Sequence, residues 1–96
     1  MSLRERYDFE NLVNEAERLV LEEIERQLGR LPSVCSCQEC VLDIAAYALN
    51  QVRPRYHASL LGSIYAGGRG DPDGAREIQL AVAEAIKRIQ ANPAHD

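Results

Sequence analysis

The three cysteines of the chain lie within six consecutive positions, at Cys35, Cys37 and Cys40. Thiolate sulfur is a preferred ligand of Zn²⁺, and the start of a helix helps to hold thiols deprotonated. The spacing Cys-x-Cys-x-x-Cys therefore predicts a structural zinc site on a short turn that leads into a helix. Two other interpretations remain open, a redox pair of thiols at Cys37 and Cys40, and three chemically inert thiols.

A structural zinc site needs four ligands, and this cluster supplies three. The candidates for the fourth are the two histidines of the chain, His57 and His95. An Asp or Glu carboxylate or a group from a partner chain would also serve, and each histidine could instead be an ordinary surface residue. A site with three protein ligands and a water would be catalytic and would need a general base, for which Glu39 is the adjacent candidate. We expect a structural site rather than an enzyme.

A second group of polar residues surrounds Pro54: Asn50, Arg53, Arg55 and Tyr56. The two guanidinium groups could bind a phosphate, and the tyrosine ring could stack on a base. The plainer interpretation is a helix C-terminus with favourable cations and a tyrosine that packs into the core. On the residues alone, the plainer interpretation is favoured.

Apolar residues at helical spacing predict a long first helix from Asp8 to about Arg30, with Asp8 as its N-cap and Gly29 as the left-handed residue that closes it. The stripe consists of Phe9, Leu12, Val13, Ala16, Leu19, Val20, Ile24 and Leu28. It continues around Leu21, which indicates a wide contact surface. A small domain could bury such a surface against a second copy of itself.

The same spacing predicts a second helix over about residues 38–52 and a final helix that begins after Asp71 and ends near Ala91. Pro72 suits the first position of the final helix, and Asp71 suits its N-cap. Residues 56–66 could form a short helix or an irregular loop, and the glycines of 67–70 indicate a linker.

Length and pattern predict one all-α domain of three to four helices, since no strand-like alternation is present. We expect its core over about residues 7–91, with flexible tails at 1–6 and 92–96. With 96 residues, of which 46% are apolar, the chain can build a core but still gains from a metal ion or a partner subunit.

Charge and cysteine usage narrow the functional classes. The net charge of −4 argues against a protein that binds nucleic acid directly or an anionic membrane, because both need a positive field. The N-terminus lacks the apolar core of a signal peptide, and no apolar run is long enough to span a bilayer. We therefore expect a cytoplasmic protein whose thiols stay reduced.

Four segments taken together resemble the ComFB (late competence development) family: Tyr7–Val13, Cys35–Cys40, Asp43–Asn50 and Pro54–Tyr56. The resemblance covers residues 7–66, about two thirds of the chain. It implies a small, all-helical, dimeric protein with a zinc ion at the cysteine cluster. Cys35, Cys37 and Cys40 match the metal positions of the family, while Asp43, Asn50, Pro54 and Tyr56 match the motif that follows.

Some members of the family, particularly those without the cysteines, are receptors for cyclic dinucleotides that act in competence, pili or motility. The resemblance therefore implies a non-enzymatic regulatory or adaptor protein, a homodimer with structural zinc. It could bind cyclic di-GMP or cyclic di-AMP through Asn50, Arg53, Arg55 and Tyr56. The alternatives are a protein–protein interaction module without a small ligand and, less favoured, a thiol-redox or zinc enzyme. Where relatives commonly carry an apolar residue after the tyrosine, this chain has His57.

Overall fold

The computed structural model describes residues 2–58 and 72–93, which form four helices and one small antiparallel sheet. In chain order the elements are α1 (Leu3–Arg6), β1 (Val13–Asn14), α2 (Glu15–Leu28), α3 (Gln38–Gln51), β2 (Tyr56–His57) and α4 (Pro72–Ala91). The all-α prediction is confirmed, because α2, α3 and α4 supply nearly all of the core and each strand has two residues.

The core lies where α2, α3 and α4 pack against one another. Its buried side chains are Ala16, Val20 and Ile24 from α2, Ile44, Ala45 and Ala48 from α3, Val52 just after α3, and Ile78, Ala81, Val82, Ala85 and Ile86 from α4. Five of these residues are alanines, whose small side chains let the three helix backbones approach closely. The apolar stripes predicted for these three helices therefore do face one core.

The first long helix begins seven residues later than predicted, at Glu15 instead of Asp8. Its N-cap is Asn14, whose Oδ1 accepts the N–H of Ala16 at 3.1 Å. Asp8 instead accepts the N–H of Glu10 at 2.8 Å in a turn. Phe9, Leu12 and Val13 have helical spacing, but Phe9 and Leu12 lie in a turn and Val13 pairs with a distant strand. Residue spacing cannot predict that pairing.

That pairing joins β1 to β2, with Val13 opposite His57. The N–H of Glu15 donates to the carbonyl of Arg55 at 2.7 Å, and the N–H of Arg55 donates to Asn14 Oδ1 at 2.7 Å. One side-chain oxygen of Asn14 therefore caps α2 and also holds the segment that follows α3. We call β1, β2 and these bonds the clasp.

The remaining helix ends agree with the sequence except at Gly29. Gly29 follows α2 in the right-handed region, with φ −63° and ψ −20°, so the left-handed prediction for it was wrong. The predicted bounds of α3 and α4 are confirmed to within a residue, and Pro72 does begin α4. The structure does not describe residues 59–71 or His95. The predictions made for them therefore lie outside the described residues. Among the described helices, none is long and apolar enough to cross a membrane.

Candidate metal centre

The start of α3 brings the three cysteines together. Cys37 is the N-cap of this helix, and its Sγ accepts the N–H of Cys40 at 3.4 Å. Its carbonyl accepts the N–H of Val41 at 2.9 Å, and this hydrogen bond closes the first turn of the helix. With Cys35 two residues upstream, the three sulfur atoms lie within 4.8 Å of one another. The first turn of α3 therefore positions Cys37 and Cys40, and the loop before it brings Cys35 to them.

The donor set fits a metal ion. Two sulfurs bound to one tetrahedral ion by bonds of about 2.3 Å lie roughly 3.8 Å apart. The three sulfurs here lie within 4.8 Å of one another, so small side-chain movements would bring them to that distance. Burial, followed by hydrogen bonds with Cys37 and Cys35, raises the pKa of the Cys40 thiol to about 12. Without a cation this crowded group favours neutral thiols, and a bound cation supplies the positive charge that stabilises three thiolates.

The C-terminal end of α4 lies against the same loop. The N–H of Cys35 donates to Gln90 Oε1 at 3.3 Å, and Gln90 Nε2 donates to the carbonyl of Cys35 at 3.5 Å. The amide of Gln90 thus engages both polar groups of one cysteine's main chain. Sequence reasoning missed Gln90, because the two residues are 55 positions apart and no local spacing connects them.

The structure does not bring His57 to the thiols. Its Nε2 lies 3.5 Å from Glu15 Oε2, and its side chain is 16% exposed. The reason is the clasp, which carries His57 to the N-terminal end of α2, whereas the cysteine loop follows the C-terminal end of that helix. In residues 2–58 and 72–93, no His, Asp or Glu joins the three cysteines as a candidate ligand. His95, the other predicted candidate, is outside these ranges.

The second predicted group is only partly assembled. Arg55 and Tyr56 belong to the clasp, and Arg53 lies two residues before Arg55 with a side chain that is 77% exposed. The guanidinium Nε of Arg53 lies 3.7 Å from Glu77 Oε2 on α4. Tyr56 is 60% exposed, so the plainer prediction that it packs into the core was wrong. Asn50 is exposed on α3, and its amide donates to a main-chain carbonyl one turn earlier.

Comparisons with known proteins agree with this architecture. The family model described as late competence development protein ComFB matches residues 13–93. The competence protein ComFB of Bacillus subtilis (strain 168) is 40% identical over 45 residues, which are 47% of this chain and 46% of that protein, so the match spans about half of the relative. The solved structure of the late competence protein ComFB from Bacillus subtilis is similar, with a TM-score of 0.69 and 27% identity over 86% of this chain and 94% of that one. The chain belongs to the ComFB family.

Proposed function

We propose that this protein is a non-enzymatic regulatory or adaptor protein in which Cys35, Cys37 and Cys40 hold a structural zinc ion. The observation that carries the proposal is the approach of the three sulfurs to within 4.8 Å at the start of α3. Thiolate-rich sets with four protein ligands are typical of structural zinc. The zinc would join the loop after α2 to the first turn of α3. The protein would act in the cytoplasm, where thiols stay reduced.

For the fourth ligand we propose His95. The hydrogen bonds between Gln90 and Cys35 support it, because they bring the end of α4 to the cysteine loop. His95 follows Gln90 by five residues, and five extended residues reach up to about 17 Å. His57 is less suitable, since its imidazole already contacts Glu15 at the other end of α2.

Elemental analysis of the untreated protein tests the metal, with one zinc per chain expected. The two histidines provide a matched pair of variants. We expect His95→Ala to weaken zinc binding by roughly tenfold or more, since even groups outside the ligand set contribute 10–100-fold. His57→Ala should leave zinc affinity unchanged. Absence of stoichiometric metal, or free reaction of all three thiols in the native untreated protein, would contradict structural zinc and favour a redox function.

We further propose that Arg53, Arg55 and Tyr56, with Asn50 beside them, bind a cyclic dinucleotide, either cyclic di-GMP or cyclic di-AMP. Support comes from the exposure of the Arg53 guanidinium and the Tyr56 ring, a phosphate-binding group and a base-stacking group on one short segment. The ion pair of Arg53 is long and solvated, so a phosphate can replace the carboxylate of Glu77 at small cost.

Calorimetric titration with each nucleotide tests this part of the proposal. We expect Arg53→Ala and Tyr56→Ala to weaken binding, because each removes one of the two exposed recognition groups. Arg88→Ala is the matched control, since Arg88 is also an exposed arginine in an ion pair, with Glu84 on α4. If neither nucleotide produces heat or a thermal shift, the protein is not a receptor for them.

A second candidate function is a protein–protein interaction module that uses no small ligand. It is favoured by large apolar side chains that stay exposed on the helices, such as Leu42 and Leu80 at 57% and 64%. A protein that retains zinc but binds neither nucleotide would support this alternative. Binding of either nucleotide would support the receptor.

A further inference from the structure

The first turn of α3 carries two of the three thiols. Cys37 is the N-cap of the helix, and Cys40 is the third residue inside it. The carbonyl of Cys37 accepts the N–H of Val41 at 2.9 Å, so Cys37 already occupies its place in the helical turn. Residues three apart in a helix have Cα atoms about 5 Å apart, within the range of about 4.4–6.8 Å that disulfides join. The backbone of this turn therefore suits a bridge between the two cysteines.

The side chains of these two cysteines are also close to each other. The Sγ of Cys37 accepts the N–H of Cys40 at 3.4 Å, so it lies against the main chain of the residue that it would join. The sulfurs of the cluster are within 4.8 Å of one another. A disulfide bond is about 2.05 Å long, and rotation of the two side chains can close the difference without a change in the helix.

The two thiols differ in their exposure to solvent. Cys37 is exposed, whereas the buried Cys40 has 0% of its surface accessible. A dissolved oxidant therefore meets Cys37 first, and Cys40 can react only with a group that is already beside it. An accessible thiol next to a second, resolving thiol is the usual arrangement of redox-sensing cysteines.

The third thiol is held from outside this turn. Cys35 lies in the loop before α3, where the amide of Gln90 accepts its N–H at 3.3 Å and donates to its carbonyl at 3.5 Å. A bridge from Cys35 would join the loop to the helix and would act on a main chain that α4 holds. A bridge between Cys37 and Cys40 stays within one turn and leaves the contact with Gln90 intact.

We propose that Cys37 and Cys40 form a disulfide when the protein meets a hydroperoxide, and that this bridge releases the zinc. The bridge depends only on the geometry of the turn, whereas the release rests on the proposed function. Bridging removes two of the four ligands that a structural zinc site needs, and Cys35 with one further ligand cannot hold the ion as such a site.

The chemistry requires one hydroperoxide for each bridge. The sulfur of Cys37 attacks a peroxide oxygen, so an S–O bond forms, the O–O bond breaks, and the thiol proton leaves with the other oxygen as water or an alcohol. The sulfur of Cys40 then attacks the sulfenic acid on Cys37. The S–S bond forms, the S–O bond breaks, and the hydroxyl leaves as water with the second thiol proton. Two thiols are oxidised, and the peroxide is reduced by the two electrons that they lose.

Peptide mapping by mass spectrometry tests the bridge, after the purified full chain is treated with hydrogen peroxide. We expect a disulfide between Cys37 and Cys40, with Cys35 recovered as a thiol that can be alkylated, in both metal-free and zinc-loaded protein. A chromogenic chelator should detect one equivalent of released zinc per bridge, and a dithiol reductant should restore zinc binding. A bridge that includes Cys35, or three thiols that stay reduced, would overturn the proposal.

The zinc measurement separates the two halves of the proposal. A mapped bridge in a protein that keeps its zinc would overturn the release. A chain purified without zinc would overturn both the proposed function and the release, while the bridge is still read from the metal-free protein.

Two variants test the order of the steps in metal-free protein. Cys35→Ser should still form the bridge, because both of its cysteines remain. The double variant Cys35→Ser/Cys40→Ser keeps only the exposed thiol, so peroxide should leave a sulfenic acid on Cys37 that dimedone traps. Absence of the trapped product would overturn Cys37 as the attacking sulfur. If loss of the buried Cys40 prevents folding, the mapping of the wild type and of Cys35→Ser still decides which thiols are joined.

Discussion

Cys37 has two roles, as a candidate metal ligand and as the N-cap of α3, and one substitution can separate them. Its sulfur is a candidate metal ligand, and its position is the N-cap of the helix. Serine is a better N-cap than most residues but a poor zinc ligand. We therefore expect Cys37→Ser to destabilise the zinc-loaded protein, whereas the chelated protein should be as stable as wild type or up to about 1 kcal/mol more stable. Urea unfolding with and without chelator measures both effects.

The control for this prediction is Cys35→Ser. Cys35 is also a candidate ligand, but it lies before the N-cap, so its replacement offers no gain in the chelated protein. Equal losses of stability for Cys37→Ser with and without metal would show that the sulfur acts as a packing group only.

We expect Glu15 to make the stability of the fold depend on pH in the acid range. The hydrogen bond from Arg18, with a smaller one from His57, holds the pKa of the Glu15 carboxyl below its ordinary value of 4.5, against an opposing effect of burial. A carboxyl with a lowered pKa in the folded state stabilises the fold above its unfolded pKa, and this stability is lost as the pH falls through the folded value. We expect Glu15→Gln to reduce the loss of stability below about pH 4.5. Unfolding free energies measured across this range check the prediction.

Glu25→Gln is the matched control, since it makes the same charge change on the same helix. Within the described residues, Glu25 makes no side-chain hydrogen bond or ion pair. An equal change in the acid limb for both variants would mean that overall charge, and not the contact with Arg18, sets the response.

At the residue scale, the sequence predicted those parts of the site that are set locally. Cys37 and Cys40 lie on one turn and Cys35 in the loop just before it, so their spacing alone indicated the cluster. Gln90 and Glu15 could not be found in this way, because they meet Cys35 and His57 across 55 and 42 positions. His57 was a reasonable candidate for the fourth metal ligand by residue type. The clasp instead places its imidazole beside the carboxylate of Glu15.

At the scale of the elements, Asn14 joins one helix to a distant segment. Its Oδ1 accepts the N–H groups of Ala16 and Arg55. We expect Asn14→Ala to lower the free energy of unfolding by about 1–3 kcal/mol, since it removes a cap and leaves a second partly buried donor without its acceptor. Urea denaturation measures the change. Asn14→Asp keeps an oxygen in the same position and should recover most of the loss, and failure to do so would mean that packing alone is responsible.

Element bounds were predictable wherever helix packing sets them. The apolar stripes of α3 and α4 face the core along their whole length. Their periodicity therefore predicted the first and last residues of both helices to within one position. The start of α2 was not predictable, because residues before Asn14 carry helical spacing while the backbone of Val13 and Asn14 pairs with a strand more than 40 positions away. Two-residue strands carry no alternation to detect.

At the scale of the molecule, most of the core comes from residues outside the cysteine loop, although Val34 of that loop packs against it. Apart from Cys40 in the first turn of α3, the buried apolar side chains belong to one cluster, built from α2, α3, α4 and Val52. We expect chelation to lower the melting temperature while the helical circular dichroism signal at room temperature stays. Zinc supplies about 10–16 kcal/mol to the folding of small zinc-finger peptides, which have almost no core, and the contribution here should be smaller.

Restored melting temperature after zinc is added back is the control for damage by the chelator. Complete loss of the helical signal on chelation would contradict the expectation, because it would show that the core cannot fold without the metal.

The family assignment was also predictable from local motifs, and it is confirmed by the family model. The segments that resemble the family lie within residues 7–66, whereas the family model matches as far as residue 93. The cysteine motif and the segments around it are recognisable by residue type. The last helix is defined by an apolar stripe that many helices share, so its sequence alone did not reveal the relationship.

The clasp has a consequence for how the protein opens. It connects residues 40 or more positions apart through strands of two residues each, so it carries little of the stability that the three packed helices share. We infer that Arg53–His57 detaches as a unit, through a sub-global opening that costs less free energy than unfolding of the core. In native-state hydrogen exchange, the amide of Arg55 should then exchange long before those of Ile44 and Val82. The segment that carries the proposed recognition groups would then detach while the core and the cysteine loop stay folded.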